Sequence, residues 1–312
     1  MVAALGVAAA ATALAVSGGT LPPLPAQGLA VSAPGGVTLI DVRGRTLARL
    51  PRLRFEPEYV LSSGLPRLRD GRGRLWSLDV PGHRLVPATG GLPLAGGSTL
   101  LFGRRAKAWL VLHRGRIALR MNVGREFPFL SEDRDVVSTG RRALDLRARR
   151  FIRVPRGCIV ASRRAVHLIL LCGRIEHGTV LPTSVEELVD GHRERLAGPA
   201  EVAARGPAGY WVYARVAQDR RTLLVQWSGE CESPTAFLIG DRRLRPVGSP
   251  TGPAPESRAM GWSPTWRPIV DFPDGACAGS HRGGPGVYVL DRDGTPKLIV
   301  RTKPRQQLAF WG

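Results

Sequence analysis

The run Tyr288-Val289-Leu290-Asp291-Arg292-Asp293-Gly294, followed by Lys297-Leu298-Ile299-Val300, decides the fold. It reads as a strand, a turn and a second strand. Alternating apolar residues suit a pleated, half-buried surface, and Asp and Gly satisfy tight-turn geometry. The same signature recurs at Leu39-Ile40-Asp41-Val42-Arg43-Gly44 before Thr46-Leu47, and at Trp76-Ser77-Leu78-Asp79-Val80-Pro81-Gly82 before Leu85-Val86. Leu110–Gly115 and Phe237–Asp241 are weaker copies, and Leu144-Asp145-Leu146 and Val189-Asp190-Gly191 fill the gap between them. Marked at Asp41, Asp79, His113, Asp145, Asp190, Gly240 and Asp291, the mean period is about 42 residues, which suits one four-stranded propeller blade.

The blade grammar is clearest in the C-terminal third. Strand a at 210–216, b at 222–227, c at 236–240 and d at 244–247 make one unit. Strands at 257–262, 268–272, 287–291 and 297–301 make the next. The first hairpin, 37–50, is preceded only by 29–33, so its unit lacks one strand. The tail Gln306–Gly312 is placed to supply the innermost one. Pairing the two termini removes exposed sheet edges. The expected fold is all-β: one β-propeller of four-stranded antiparallel blades, seven in number with six as the alternative, closed by its N- and C-terminal strands. Segment 183–196 carries a capping-box pattern and is expected to form a helical turn in a loop.

Residues 1–28 read as an apolar leader or signal peptide and 29–312 as the propeller. No acid or base precedes Asp41, and the apolar run from Val2 to Val16 is short for a membrane span. The expected location is secreted or extracytoplasmic, at the periplasm or cell wall, with anchoring by the N-terminal segment as the alternative. Four cysteines support export. On the blade assignment all four fall on the face of the b–c loops. The favoured pairs are Cys158–Cys172 within a blade and Cys231–Cys277 between blades, against four free thiols.

Lys and Arg number 45 and Asp and Glu 25, a formal net charge of +20. Arg over Lys fits a GC-rich genome, but the excess of bases leaves a positive field that favours anionic partners. The charge is spread over turns, without a basic helix or nucleic-acid motif, which argues against nucleic acid. The expected partner is an envelope protein or an anionic cell-surface polymer, with membrane contact only through an uncleaved N-terminus, and the chain is expected to be a monomer.

Trp262-Ser263-Pro264-Thr265-Trp266-Arg267-Pro268-Ile269-Val270 resembles the Trp-Ser-Pro-Asp-Gly repeat motif of TolB-like propellers, with Thr265-Trp266 in place of Asp-Gly. Asp291-Arg292-Asp293-Gly294 matches the c–d turn of that family. The full motif occurs once and covers about 50 residues. The resemblance implies a propeller with an extracytoplasmic binding or scaffolding role, and no specific partner.

No metal-type spacing links the cysteines or the six histidines, no nucleotide-binding or nucleophile motif is present, and no cofactor is expected. His177, beside Glu176, and His281 sit in b–c loops of different units. Glu132, Asp133 and Asp135 form an acidic group that reads as a solvated turn. Trp227, ending a strand b, is the candidate for a ring exposed at the loop face. With Trp266, Arg267, His281 and Arg282 it makes up the candidate binding set, through stacking and cation–π contacts. The function expected is a non-catalytic binding or scaffold module at the cell envelope, not an enzyme. The alternative is a propeller enzyme acting on glycans as hydrolase or lyase.

Overall fold

The computed structural model describes residues 20–56, 67–88, 91–132, 134–164, 166–200, 209–217, 222–229, 234–241, 243–247, 256–273, 283–292, 294–303 and 306–312. The chain is all-β: seven four-stranded antiparallel sheets in the arrangement of a β-propeller. Blade 1 holds β1 (Gly28–Ala33), β2 (Gly36–Asp41), β3 (Thr46–Pro51) and the C-terminal β28 (Gln307–Trp311), in the order β28-β1-β2-β3. Blade 2 holds β4 (Arg54–Phe55), β5 (Arg67–Arg69), β6 (Leu75–Asp79) and β7 (Arg84–Pro87). Blade 3 comprises β8 (Leu92–Leu94), β9 (Ser98–Gly103), β10 (Ala108–His113) and β11 (Arg116–Asn122). Blade 4 comprises β12 (Phe129–Leu130), β13 (Val136–Ser138), β14 (Ala143–Asp145) and β15 (Arg150–Ile152). Blade 5 is β16 (Cys158–Arg164), β17 (His167–Glu176), β18 (Thr179–Val189) and β19 (His192–Ala197). Blade 6 is β20 (Tyr210–Val216), β21 (Leu223–Ser228), β22 (Pro234–Gly240) and β23 (Arg243–Pro246). Blade 7 is β24 (Arg258–Trp262), β25 (Pro268–Phe272), β26 (Gly286–Leu290) and β27 (Pro296–Arg301).

The chain divides into two compact units, one holding β1–β7 with β28 and the other β8–β27. In the first, the C-terminal strand supplies the innermost position of blade 1: Gly28 pairs with Trp311 and Ser32 with Gln307. Gly28 is needed there, because a side chain would collide with the Trp311 ring. Trp311 Nε1 also donates to the Pro25 carbonyl at 3.1 Å. Leu21, Leu24, Leu39, Phe55, Leu68 and Trp76 join Trp311 in one apolar cluster.

In the second unit the sheets stack through apolar faces. Trp211, Trp227 and Phe237 of blade 6 join Ile169, Leu171 and Val185 of blade 5. On its other side, blade 6 offers Tyr213 and Leu224 to Val270, Phe272 and Tyr288 of blade 7. Alternation along each strand places one residue set in each interface.

The seven markers all lie at c–d turns, and three of the aspartates there, Asp41, Asp79 and Asp145, accept hydrogen bonds from backbone N–H groups. Asp41 Oδ1 accepts from the N–H groups of Arg43 and Arg45, both at 2.9 Å. Asp145 Oδ1 does the same for Arg147 and Ala148, at 3.0 and 2.9 Å. Burial pushes the Asp145 carboxyl up, but the Ala148 and Arg163 hydrogen bonds outweigh it and hold the group below the usual range.

The helical turn expected within 183–196 is instead the β18–β19 hairpin. Its acids find partners across strands: Arg193 takes Glu186 bidentately at 2.6 and 2.9 Å. Arg164 and His167 take Glu187 at 2.9 and 3.0 Å. These pairs satisfy the carboxylates that a capping box would have turned toward a helix end. No helix among the described residues is long and apolar enough to cross a membrane.

Candidate active site on blade 7

The b strand of blade 7 reads Pro268-Ile269-Val270-Asp271-Phe272, and all five residues are buried. A carboxylate in such a run is costly unless donors surround it. Asp271 is only 4% exposed, and its Oδ1 has no hydrogen-bond partner among the described residues. Its cross-strand neighbour is Arg258, at the start of the innermost strand. The Arg258 guanidinium stands 4.0 Å from Asp271 Oδ2 and is itself 56% exposed, so it reaches solvent.

Burial pushes the Asp271 carboxyl up to about 6, with Arg258 opposing and the charge of nearby Glu256 adding to the rise. The surrounding backbone is fixed by blade 6. Gln226 Oε1 accepts from Ala259 N–H at 2.8 Å, and Ser257 Oγ accepts from Ala236 N–H at 2.9 Å. The result is a carboxyl that changes protonation near neutral pH, next to a solvent-reaching guanidinium on a braced strand. Such a pair can exchange a proton with a bound molecule while Arg258 recognises an anionic group on it.

Of the residues proposed from sequence, the three that are described, Trp227, Trp266 and Arg267, do not come together in one site. Trp227 is 1% exposed, against the expectation of a ring at the loop face. Its ring packs edge-on against Trp211, with centroids 5.1 Å apart. Trp266 is 39% exposed, in the a–b turn of blade 7, with φ +57°. Arg267, half-buried, spends its backbone N–H on Ser263 Oγ at 2.9 Å in that same turn. Both therefore lie at the end of blade 7 opposite Asp271. His281 and Arg282 fall outside the described residues, as do Cys231, Cys277 and their expected pairing.

Cys158 and Cys172 do form a disulfide, with S–S 2.08 Å. Glu186 approaches them closely enough to suggest a ligand set. The two sulfurs are bonded to each other, however, and the carboxylate is held by Arg193 and by Ser184 Oγ at 2.7 Å. The acidic group at 132–135 is not a solvated turn at Asp135. That residue is buried and ion-paired with Arg147 and Arg163 at 3.4 and 3.3 Å. His177 occupies the tip of the β17–β18 hairpin with φ +47°.

In the sequence Asp271 lies inside the strand expected at 268–272, with no role expected for it. The signal was present: one acid flanked by Ile269, Val270 and Phe272 in a strand that is apolar on both faces.

No protein-family model matches this sequence, and no curated protein matches it. Solved structures do. The chain is similar to the β-propeller domain of the Trilobed protease from Pyrococcus furiosus, at 9% identity and TM-score 0.47 over 91% of this chain and 83% of that one. It is similar to an oligogalacturonate lyase from Vibrio parahaemolyticus, at 7% identity and TM-score 0.44, covering 76% and 74%. It is also similar to the periplasmic gluconolactonase of Pseudomonas aeruginosa, at 15% identity and TM-score 0.40, covering 91% and 99%. The expectation of a non-enzyme finds no support in this comparison, in which the propellers of similar fold include enzymes. At these identities the likeness is one of fold, and any chemistry rests on this chain's own residues.

Proposed function

We propose that this chain is an extracytoplasmic propeller enzyme that cleaves acidic glycans, with Asp271 as the proton-transfer group and Arg258 as the carboxylate-binding group. The observation that carries the reading is Asp271 itself: buried, without a partner at Oδ1 among the described residues, and beside an exposed cation. A base near neutral pH next to a guanidinium suits a sugar acid. The cation holds the substrate carboxylate and lowers the acidity barrier at the adjoining carbon. Asp271 then takes that carbon's proton, the C–H electron pair forms a double bond to the neighbouring carbon, and the leaving oxygen departs with its bonding pair and takes a proton from water. The formal charge of +20 favours a polyanionic chain over a neutral one. The disulfide supports an oxidising compartment. Kinship with TolB-like propellers is part of this proposal, resting on Trp262-Ser263-Pro264.

Purified protein incubated with polyuronates tests the reading. Elimination yields an unsaturated product with new ultraviolet absorbance, whereas hydrolysis yields reducing ends alone. D271N is expected to lower turnover about 10²–10⁴-fold, the usual worth of general acid–base catalysis. The wild-type rate should rise as pH increases through about 6, as Asp271 ionises. Wild-type turnover retained in D271N removes Asp271 from the chemistry. Binding of polyuronate without cleavage overturns the enzyme reading.

A further inference from the structure

The b–c end of blade 3 carries an aromatic cluster that the site above does not use. Phe102 on β9 and Trp109 on β10 are directly paired, with ring centroids 5.3 Å apart. Phe127, in the connection from blade 3 to blade 4, meets Trp109 edge-on at 6.1 Å. Trp109 is half-buried on the core of that blade. Phe102 and Phe127 are 40% and 52% exposed, and Val123 in the same connection is 53% exposed. Apolar side chains this exposed and this close together are uncommon on a soluble surface without a partner.

The surroundings are cationic. Arg104, Arg105 and Lys107 occupy the β9–β10 turn and Arg125 the connection, all exposed. None of the four forms an ion pair among the described residues. Elsewhere many cations are spent: Arg45 on Asp41, Arg74 on Asp70 and Arg193 on Glu186. The acid nearest in sequence, Glu126, is already held by Arg142 at 3.0 and 2.7 Å. The connection is also braced, since a side chain at Gly178 on the blade 5 hairpin would strike the backbone of Arg125 and Glu126 at 2.8 Å.

We propose that this end of blade 3 docks on an anionic lipid bilayer, with Phe102, Val123 and Phe127 entering the headgroup boundary and Arg104, Arg105, Lys107 and Arg125 contacting lipid phosphates. Exposed apolar tips ringed by unneutralised cations are the surface form of an interfacial anchor. The rings meet at interplanar angles of 60° and 71°, so they offer no flat platform on which a sugar chain would stack.

Flotation of the full chain with vesicles of phosphatidylcholine, and of an equal mixture of phosphatidylcholine and phosphatidylglycerol, tests this. The N-terminal apolar segment is common to wild type and variants, so the difference between them reads the patch. Wild type is expected to bind the anionic vesicles in preference to the neutral ones, and less so as salt rises. F102S/F127S should weaken binding at least about tenfold. R105E/K107E, which leaves the rings intact, should weaken it by about fivefold or more for each cation removed. Unchanged thermal unfolding would show that both variants fold. Vesicle binding equal to wild type in both variants overturns the proposal. Loss of soluble polyuronate binding with vesicle binding intact would assign the patch to glycan instead.

Discussion

Asp70 in blade 2 and Asp271 in blade 7 expose similarly little of their surface, 6% and 4%, yet their carboxyls are held at about 2 and about 6. Asp70 lies in the turn Asp70-Gly71-Arg72-Gly73-Arg74. Burial is the largest single influence on it and pushes it up, but four donors converge against that push. Oδ1 accepts from the backbone N–H of Arg72 and Arg74, both at 2.9 Å. Oδ2 accepts from Arg74 Nε at 2.8 Å and Trp76 Nε1 at 3.2 Å. Asp271 sits in a strand rather than a turn, where backbone N–H groups are committed to neighbouring strands. Its ion-pair partner, Arg258, stands 4.0 Å away. Depth of burial and donor supply together therefore separate a structural aspartate from a reactive one in this chain: burial drives the Asp271 carboxyl up with no donor to offset it at Oδ1, whereas four donors outweigh burial at Asp70.

The sharpest way to break that contrast is to remove the charge at Asp271. An ordinary aspartate titrates near 3.8, and this one near 6. Because the folded value is raised, its contribution to stability is intact below about 3.8 and is lost as pH rises through about 6. A rise of that size corresponds to about 3 kcal/mol at pH 8. D271N is thus expected to unfold at higher temperature or denaturant than wild type at pH 8, by up to about 3 kcal/mol, with the gain vanishing at pH 4. Urea unfolding at both pH values checks it, and a D271N variant less stable than wild type at pH 8 would mean that the buried charge has donors after all.

The two aspartates also mark how far the sequence could be read. Turn aspartates are local features. Asp41-Val42-Arg43-Gly44-Arg45 and Asp70-Gly71-Arg72-Gly73-Arg74 share the pattern Asp-x-Arg-Gly-Arg, and each closes on itself within five residues. Blade spacing and the role of the C-terminal tail followed from such local punctuation. Asp271 needed Arg258 and Glu256, brought in by the preceding strand and its approach, to acquire its character. Trp227 departs from the expected exposure for the same kind of reason: Trp211 and Phe237 belong to other strands, and their positions cover it. The capping-box pattern at Glu186 is a local signal, whereas Arg193 across the hairpin decides the outcome. Turns, strand order and the closing pair of terminal strands were legible, as was Cys158–Cys172, whereas side-chain contacts made across strands and blades were not.

A smaller effect is expected from the other side of the contrast. Asp70 is held low, so its contribution is present above about 3.8 and is lost as pH falls toward about 2. D70N keeps one oxygen for the backbone N–H groups and loses the ion pair with Arg74. It should lower the unfolding temperature at pH 7, and the gap from wild type should close as pH falls through that window. A gap that stays constant down to pH 2 would assign the effect to lost hydrogen bonds and not to charge.

The smallest effect lies in the backbone that presents those donors. Gly73 has φ +79° and donates its N–H to the Asp70 carbonyl at 2.9 Å, so the turn requires a left-handed residue there. Nothing lies within 4 Å of where a side chain would start at Gly73 or at Gly71, so neither substitution meets a clash. G73A should therefore cost about 1 kcal/mol through backbone conformation alone. G71A, which needs no positive φ, should leave stability unchanged or raise it by about 0.5 kcal/mol through the unfolded chain. Because the Arg72 and Arg74 N–H groups are aimed by this turn, G73A should also make the pH dependence assigned to Asp70 shallower, while G71A leaves it intact. Equal stability of the two variants would show that the donors, and not the turn, hold the carboxylate in place.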